Sequence, residues 1–233
     1  MATKPTRHEK GLSNVSSTSF WGSFGDMSPT KYHKYFNDFD TYAAADWSLT
    51  TVETGSATEA VTDYNGGALL VTNGTADNDR DVFFLAGESF KFVSGKKTWF
   101  EAKFQLSDAT DSDAYMGLCI STATDPVGTA PTDGVFFRKD DGDTNLDFVV
   151  TKNSTATTSS ALATMANATD IQVAFYYDGV SNIAVWVNDA LVDNVVTTNL
   201  PDDEILAVFM AIQNGAAAAK TMTIDYVLAA TER

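Results

Sequence analysis

Two acidic loops hold the densest groups of potential metal ligands in the sequence. Residues 140–143 read Asp-Asp-Gly-Asp with Asn145 close behind, and a second acidic loop covers residues 108–113. Calcium prefers oxygen-rich loops of this kind, but neither segment has the spacing of a complete EF-hand loop with its terminal glutamate. His8 and His33 lack neighbouring zinc ligands. We therefore predict solvated carboxylates in both loops, with no metal ion and no cofactor; calcium bound in one of these loops is the alternative that stays open.

Four side chains between residues 172 and 188 form a candidate carbohydrate site. Trp186 and Tyr176 lie on the less apolar face of a predicted hairpin, and Gln172 and Asn188 lie beside them. Aromatic rings with a few polar groups in a shallow cleft are typical of sugar-binding surfaces. A second interpretation stays open, in which another layer or loop of the protein covers these rings.

The first 35 residues differ from the rest of the chain in charge and composition. They carry five basic and two acidic side chains, a net charge of +3, whereas the whole chain of 233 residues carries −16, which leaves −19 for the rest. Ser, Thr, Gly and Lys dominate this segment, and such a composition does not build a hydrophobic core. Three closely spaced aromatic residues, Phe20, Trp21 and Phe24, are the exception. We interpret residues 1–35 as an extended N-terminal arm whose aromatic side chains anchor it on a partner or fold back onto the body; a merely solvated tail is the other interpretation.

Composition argues against several classes of partner. A net charge of −16 opposes nucleic-acid binding, because phosphate contacts need Lys and Arg. No stretch approaches the roughly 20 apolar residues of a membrane span, and the N-terminal residues lack the apolar core of a secretory signal. The single cysteine, Cys119, cannot form an intramolecular disulfide. We therefore expect neither nucleic acid nor a membrane as a partner.

The clearest secondary-structure signal covers residues 170–195 and predicts a β-hairpin. Apolar side chains occupy every second position in both halves of this stretch: Val173, Phe175, Tyr177, Ile183, Val185 and Val187. Period-two alternation interrupted by Asp178-Gly179 is typical of a hairpin. With residues 178–182 as the loop, Phe175 lies opposite Val185, so one face of both strands is apolar and must be buried.

Further strand patterns extend over most of residues 36–233. The segment at 98–106, TWFEAKFQL, alternates between an apolar and a more polar face. We also predict short strands at 82–85 and 90–93, an exposed connection over residues 151–169, and a central strand at 205–213, where a helix is the less favoured alternative. About twelve short strands with almost no helical periodicity indicate an all-β, two-sheet β-sandwich, formed by one domain of residues 36–233.

The order of these strands resembles a known fold family. The segments TWFEAKFQL, AYMGLCI, DIQVAFYYDGVSNIAVWVNDALV and TMTIDYVL resemble the concanavalin A-like jelly roll of lectins, laminin-G-like modules and β-glucanases. Asp225-Tyr226-Val227 matches the closing strand of that family. The resemblance implies a jelly-roll fold over roughly residues 36–230, and by itself it says little about function.

Glycoside hydrolysis is the enzymatic activity to test on this fold, because it needs two carboxylates that face one sugar bond. The β-glucanases of the family carry them in a Glu-x-Asp-x-x-Glu motif on one strand, and this sequence has no such motif. Glu204 has no acidic partner two positions later, and Glu101 is followed by Lys103. We therefore expect that the protein is not an enzyme.

A second resemblance covers the N-terminal third. GLSNV at residues 11–15, PTKYH at 29–33, FNDFDTY at 36–42 and Asp46-Trp47 look like the start of capsid-associated proteins encoded among tailed-phage virion genes. This resemblance implies a structural or decoration protein of bacteriophage virions. Such a protein is made in the host cytoplasm and lies on the outer capsid surface.

We accordingly predict a non-enzymatic virion protein that decorates and stabilises the capsid, attached to the major capsid protein through its arm. The predicted contact residues are basic or aromatic: Lys4, Arg7, Lys10, Phe20, Trp21 and Phe24. The alternative is a lectin-like carbohydrate-binding module that recognises host-surface glycans or other polysaccharides. Decoration often implies symmetric clusters, so a homo-oligomer is compatible with the first prediction, although the sequence does not define the oligomeric state.

Overall fold

The computed structural model describes Phe20, residues 29–122 and residues 125–233. These residues form fifteen strands and one short 3₁₀ helix at Ala44–Asp46. The strands are β1 Tyr32–Asn37, β2 Trp47–Val52, β3 Thr58–Thr62, β4 Ala68–Thr72, β5 Arg80–Leu85, β6 Thr98–Leu106, β7 Ser112–Cys119, β8 Gly134–Lys139, β9 Asn145–Lys152, β10 Thr155–Thr164, β11 Ile171–Tyr177, β12 Asn182–Val187, β13 Ala190–Val196, β14 Ala207–Asn214 and β15 Thr221–Glu232.

The strands form two antiparallel sheets that pack face to face. The first sheet has the order β13-β12-β11-β6-β15-β4-β3, and β1 also pairs with β15. The second sheet has the order β10-β9-β8-β7-β14-β5-β2. The predicted all-β, two-sheet sandwich is therefore confirmed, including the strand at residues 205–213, most of which lies in β14.

Period-two alternation decides which side chains enter the core between the sheets. In β6, Phe100, Ala102, Phe104 and Leu106 are buried in that core, as the segment pattern predicts. The predicted hairpin has the expected register: Phe175 lies opposite Val185, Val173 opposite Val187 and Tyr177 opposite Ile183. The alternate residues of the first sheet, among them Trp99 and Glu101, consequently face outward, and we call this surface the outer face of the first sheet.

Two local predictions are wrong. Residues 151–169 are not a simple connection, because β10 forms there and pairs with β9; its Ser, Thr and Ala side chains suit an exposed edge strand that has no apolar face to signal it. Residues 90–93 are not a strand, because only an isolated bridge joins Phe90 to Leu206. Phe90 and Phe92 are nevertheless fully buried in the core, so their side chains gave the strand-like pattern.

Strand β1 starts earlier than the predicted domain boundary. Residues 32–37 pair antiparallel with residues 227–232 of β15, so the boundary drawn at residue 35 lies within a strand of the first sheet. Pairing with β15 satisfies the backbone groups that the two strands turn toward each other, and the Tyr32 ring packs edge-on against Trp99. The body of the sandwich therefore begins no later than Tyr32.

Candidate functional site

A groove on the outer face of the first sheet is the strongest candidate for a functional site. It has a volume of about 460 Å³, within the range typical of small-ligand sites. We call it the Glu101 groove. Its lining residues come from β1, β6, β11, β15 and the two segments that follow β1 and β12: Phe36, Asp38, Glu101, Gln172, Asp189, Tyr226 and Leu228.

Glu101 is the central charged group of this groove. Its side chain is 1% exposed, and its Oε1 accepts hydrogen bonds from Gln172 Nε2 at 2.5 Å and from the Tyr226 hydroxyl at 2.7 Å. Its Oε2 has no hydrogen-bond partner among the described residues. Burial raises the pKa of Glu101, the two hydrogen bonds oppose that shift, and Asp189 adds to it. A buried carboxylate with one oxygen held and the other unpaired is suited to accept a hydrogen bond from a ligand.

A β-bulge in β15 places Tyr226 in the groove. The pairing of β15 with β6 shifts between Ile224 and Tyr226, while Ile224 and Val227 both face the core. The extra residue lets Asp225 and Tyr226 both reach the outer face, where Asp225 binds Lys103 at 2.7 Å and Tyr226 binds Glu101. Burial, followed by the hydrogen bond to Glu101, raises the pKa of Tyr226, which keeps the phenol a hydrogen-bond donor.

The turn between β12 and β13 forms one rim of the groove. Asn188 and Asp189 have φ angles of 49° and 62°, which Asn and Asp tolerate in two-residue hairpin turns. Asn188 Oδ1 accepts a hydrogen bond from the backbone N–H of Gln172 at 3.0 Å, and its own N–H donates to the Gln172 carbonyl at 2.9 Å. These bonds fix Gln172 at the start of β11 and bring Asp189 to the groove.

Phe36 supplies an exposed aromatic ring on the opposite rim. It is 56% exposed and lies at a tilt against Tyr226, with 6.3 Å between ring centroids. Alternation along β1 puts Phe36 on the outer face, level with Leu228 of β15. The groove thus combines an exposed ring with carboxylate, amide and phenol groups.

The structure separates the four sequence-predicted sugar ligands. Gln172 lies in the Glu101 groove and Asn188 positions it, as described above. Trp186, in contrast, is 5% exposed and meets Phe20 edge-on at 5.7 Å between centroids, and Tyr176 stacks on Trp99 at 5.4 Å. Trp186 is therefore covered by another part of the chain, as the second interpretation of these rings expects.

Phe20 is the one described member of the predicted arm contacts. It is 3% exposed and belongs to an outer-face cluster with Tyr32, Trp99, Trp186 and Leu228. It therefore packs on the body rather than standing free for a partner. The other five predicted contacts lie outside the described residues: Lys4, Arg7, Lys10, Trp21 and Phe24.

Lysine ammonium groups engage the first acidic loop. Lys220 Nζ lies 2.6 Å from Asp108 Oδ2. Lys139 is fully buried and donates to the Thr110 and Ser112 carbonyls at 3.0 and 2.5 Å. In the second loop, Asp143 Oδ1 accepts the Asn145 backbone N–H. Among the described residues, no group of three or more His, Cys, Asp or Glu side chains is arranged to hold a metal ion.

A second cavity lies on the outer face of the second sheet. It measures about 120 Å³. Its lining residues come from β7 to β10 and from the loops before β8 and after β9: Tyr115, Ala130, Pro131, Phe136, Arg138, Val149, Thr151, Ser154 and Ala156. Tyr115 stacks on Phe136 at 5.8 Å, and its hydroxyl donates to Asp140 at 3.2 Å. This cavity is smaller than the Glu101 groove, and none of the described residues in its lining carries a carboxylate.

A separate group of carboxyl side chains lies near the β4–β5 loop. Glu53 Oε2 accepts the Gly74 N–H at 2.6 Å, and Asp79 accepts the Thr54 N–H at 2.8 Å. Asp81 is fully buried. Burial raises the pKa of Glu53 to about 7 and that of Asp81 to about 6, and nearby carboxylates add to both shifts. These groups therefore bind protons more tightly in the folded chain than in the unfolded one.

The protein is accordingly expected to be more stable near pH 5 than near pH 8. As pH rises from 3.8, the ordinary pKa of Asp81, to about 7, the folded pKa of Glu53, the unfolded chain loses these protons first. Stability therefore falls through this window. Glu53→Gln mimics the protonated acid, so it should raise the melting temperature by a few degrees near pH 8 and by much less near pH 5.

Thermal melting across this pH range, followed by circular dichroism, measures the effect. Asp63→Asn, which removes one exposed charge elsewhere, is the control and should leave the pH dependence as it is in the original protein. The raised pKa of Glu53 would be contradicted if the melting temperature of Glu53→Gln changed with pH as steeply as that of the original protein.

Comparison with solved structures supports the fold assignment. No family model and no curated protein matches this sequence. An endo-1,3-β-glucanase from Streptomyces sioyaensis is 15% identical, with a TM-score of 0.61 over 87% of this chain and 97% of that chain. An endo-β-1,4-glucuronan lyase from Trichoderma reesei is 13% identical, with a TM-score of 0.55 over 84% and 94%. Peanut lectin is 13% identical, with a TM-score of 0.55 over 87% and 98%.

These similarities confirm the concanavalin A-like jelly roll, and at such low identity they show the fold alone. They also correct the expectation that the protein is not an enzyme. That expectation is wrong because glucanases and a glucan lyase share this fold, so neither the fold nor one missing motif excludes catalysis. None of the three neighbours is described as a virion protein, and capsid attachment stays a prediction. No helix in the described part of the chain is long and apolar enough to cross a membrane.

Proposed function

We propose that the protein binds carbohydrate in the Glu101 groove. The observation that carries this proposal is the combination of an exposed Phe36 ring with the unpaired, buried Oε2 of Glu101 in one groove. A sugar presents an apolar face of C–H groups and a rim of hydroxyls, so it needs an aromatic surface and fixed polar partners together. The groove offers both.

Three polar groups of the groove, those of Glu101, Gln172 and Tyr226, hold one another in place before any ligand enters. Tyr226 and Gln172 hold one oxygen of Glu101, and Asn188 in turn holds the backbone of Gln172. Preorganised groups lose little conformational entropy on binding, which favours affinity for a small, strongly hydrated ligand. Carbohydrate recognition by the neighbouring lectin fold, and by glucan-acting enzymes of the same fold, supports the proposal without identifying a sugar.

A glycan array followed by isothermal titration calorimetry tests this proposal. Phe36→Ala is expected to weaken binding of any glycan hit by about tenfold or more, because it removes the aromatic surface while leaving the charged groups in place. Val180→Ala is the matched control, since it shortens an exposed apolar residue in the β11–β12 turn, away from the groove lining.

Two results would count against the groove as a carbohydrate site. One is a folded protein that binds no glycan on the array. The other is a glycan hit whose affinity is equal in the original protein and in Phe36→Ala.

A further inference from the structure

The charge of the Glu101 groove restricts the kind of sugar that it accepts. Three of its lining residues, Asp38, Glu101 and Asp189, are acidic, and none of the described residues that line it is Lys or Arg. Glu101 is almost completely buried, so its carboxylate has given up most of its hydration. A desolvated carboxylate is stabilised when a cation or several hydrogen-bond donors approach it.

Lys103, two residues from Glu101 on the same face of β6, is already engaged elsewhere. Lys103 Nζ lies 2.7 Å from Asp225 and 3.1 Å from Asp170, and 5.7 Å from the centre of the Tyr64 ring. Among the described residues, Glu101 has no ion pair, and its Oε2 has no hydrogen-bond donor. No described residue therefore balances the negative charge of Glu101.

We propose that the Glu101 groove binds a sugar with a protonated primary amine, an unacetylated amino-sugar unit, whose ammonium group faces Glu101 while the ring lies against Phe36. This inference rests on the proposed carbohydrate function. An ammonium group supplies three donors, and its hydrogen bonds to a carboxylate are stronger than those of a neutral hydroxyl. A uronic acid would bring a fourth carboxylate among three, which is repulsive. N-acetylation removes the positive charge of the amine, so an acetylated sugar loses the charged hydrogen bond to Glu101 for which the groove selects.

The experiment compares three oligosaccharides of equal length by isothermal titration calorimetry: unacetylated glucosamine, N-acetylglucosamine and glucuronic acid oligomers. A physiological salt concentration screens the general attraction of a chain with a net charge of −16 for any polycation. We expect the unacetylated oligomer to bind at least about tenfold more tightly than the acetylated one, and the glucuronic acid oligomer to show no binding.

Two groove variants and one control attribute this selectivity to the groove. Glu101→Gln should lower the affinity for the unacetylated oligomer by about tenfold, with a smaller effect on the acetylated one. Asp189→Asn is the second variant, because Asn also adopts the left-handed turn conformation and should leave the fold intact; it should cause a several-fold loss. Asp77→Asn removes one exposed charge outside the groove lining and should change nothing.

The outcomes separate this inference from the function on which it rests. Equal affinity for charged and acetylated oligomers, with sensitivity to Phe36→Ala, would overturn the amino-sugar preference and leave carbohydrate binding in place. An affinity for the unacetylated oligomer that Asp77→Asn lowers as much as Asp189→Asn does would also overturn it. If no oligomer and no arrayed glycan binds the folded protein, both proposals fail.

Discussion

Replacing Phe20 by alanine is expected to lower the free energy of unfolding by about 3 kcal/mol. The ring is 3% exposed and packs edge-on against Trp186 within the outer-face cluster that also contains Trp99 and Tyr32. Truncation removes this burial and leaves Trp186 partly open to water. Denaturant unfolding measured by tryptophan fluorescence reports both effects, as a lower midpoint and as a red shift of the folded-state emission.

Phe36→Ala is the matched control for this experiment. Phe36 lies on the same face of the first sheet but is 56% exposed, so its removal should change the free energy of unfolding by no more than about 0.5 kcal/mol. The two variants thus have opposite profiles, since Phe20→Ala lowers stability whereas Phe36→Ala lowers glycan affinity. A loss below about 1 kcal/mol for Phe20→Ala would show that its packing contributes little, which would leave Phe20 available as a partner anchor.

The hairpin and strand β6 show how far the sequence alone reaches. Regular alternation over residues 98–106 and 171–187 fixes both the strands and the faces that they bury, because a register shift of one residue would turn every apolar side chain outward. Strand β10 lacks this signal, since its Ser, Thr and Ala side chains line an exposed edge. Local sequence therefore predicts buried strands well and exposed edge strands poorly.

Most contacts of the candidate site cannot be predicted from the sequence, because they join residues that are far apart in the chain. Glu101 meets Gln172 and Tyr226 across separations of 71 and 125 residues, and no local spacing encodes such contacts. Alternation over residues 98–106 places Glu101 on the more polar face of its strand, and the predicted hairpin places Gln172 and Asn188 beside Tyr176 and Trp186. What the sequence does not show is the bulge at Asp225, which turns two consecutive side chains to one face. The resemblance of TMTIDYVL, which contains Asp225-Tyr226-Val227, to a family strand is the signal that points to this segment.

Lys139→Met is expected to cost about 3 kcal/mol of folding free energy. The ammonium group of Lys139 is fully buried and donates to two backbone carbonyls of the loop that precedes and enters β7, those of Thr110 and Ser112. Methionine fills most of the space but donates no hydrogen bond, so both carbonyls lose their buried donor. The variant also removes a positive charge from among Asp108, Asp113, Asp141 and Asp143, which lie around this lysine.

Lys91→Met provides the comparison that isolates burial. Lys91 Nζ also donates to a backbone carbonyl, that of Asp203 at 3.0 Å, but the contact is exposed, and water can replace the lost donor. Its removal should therefore cost no more than about 0.5 kcal/mol in the same denaturant titration. Equal losses for the two variants would mean that water reaches the Thr110 and Ser112 carbonyls. In that case Lys139 would not stabilise the acidic loop, and the carbonyl oxygens of Thr110 and Ser112 would be open to other cations.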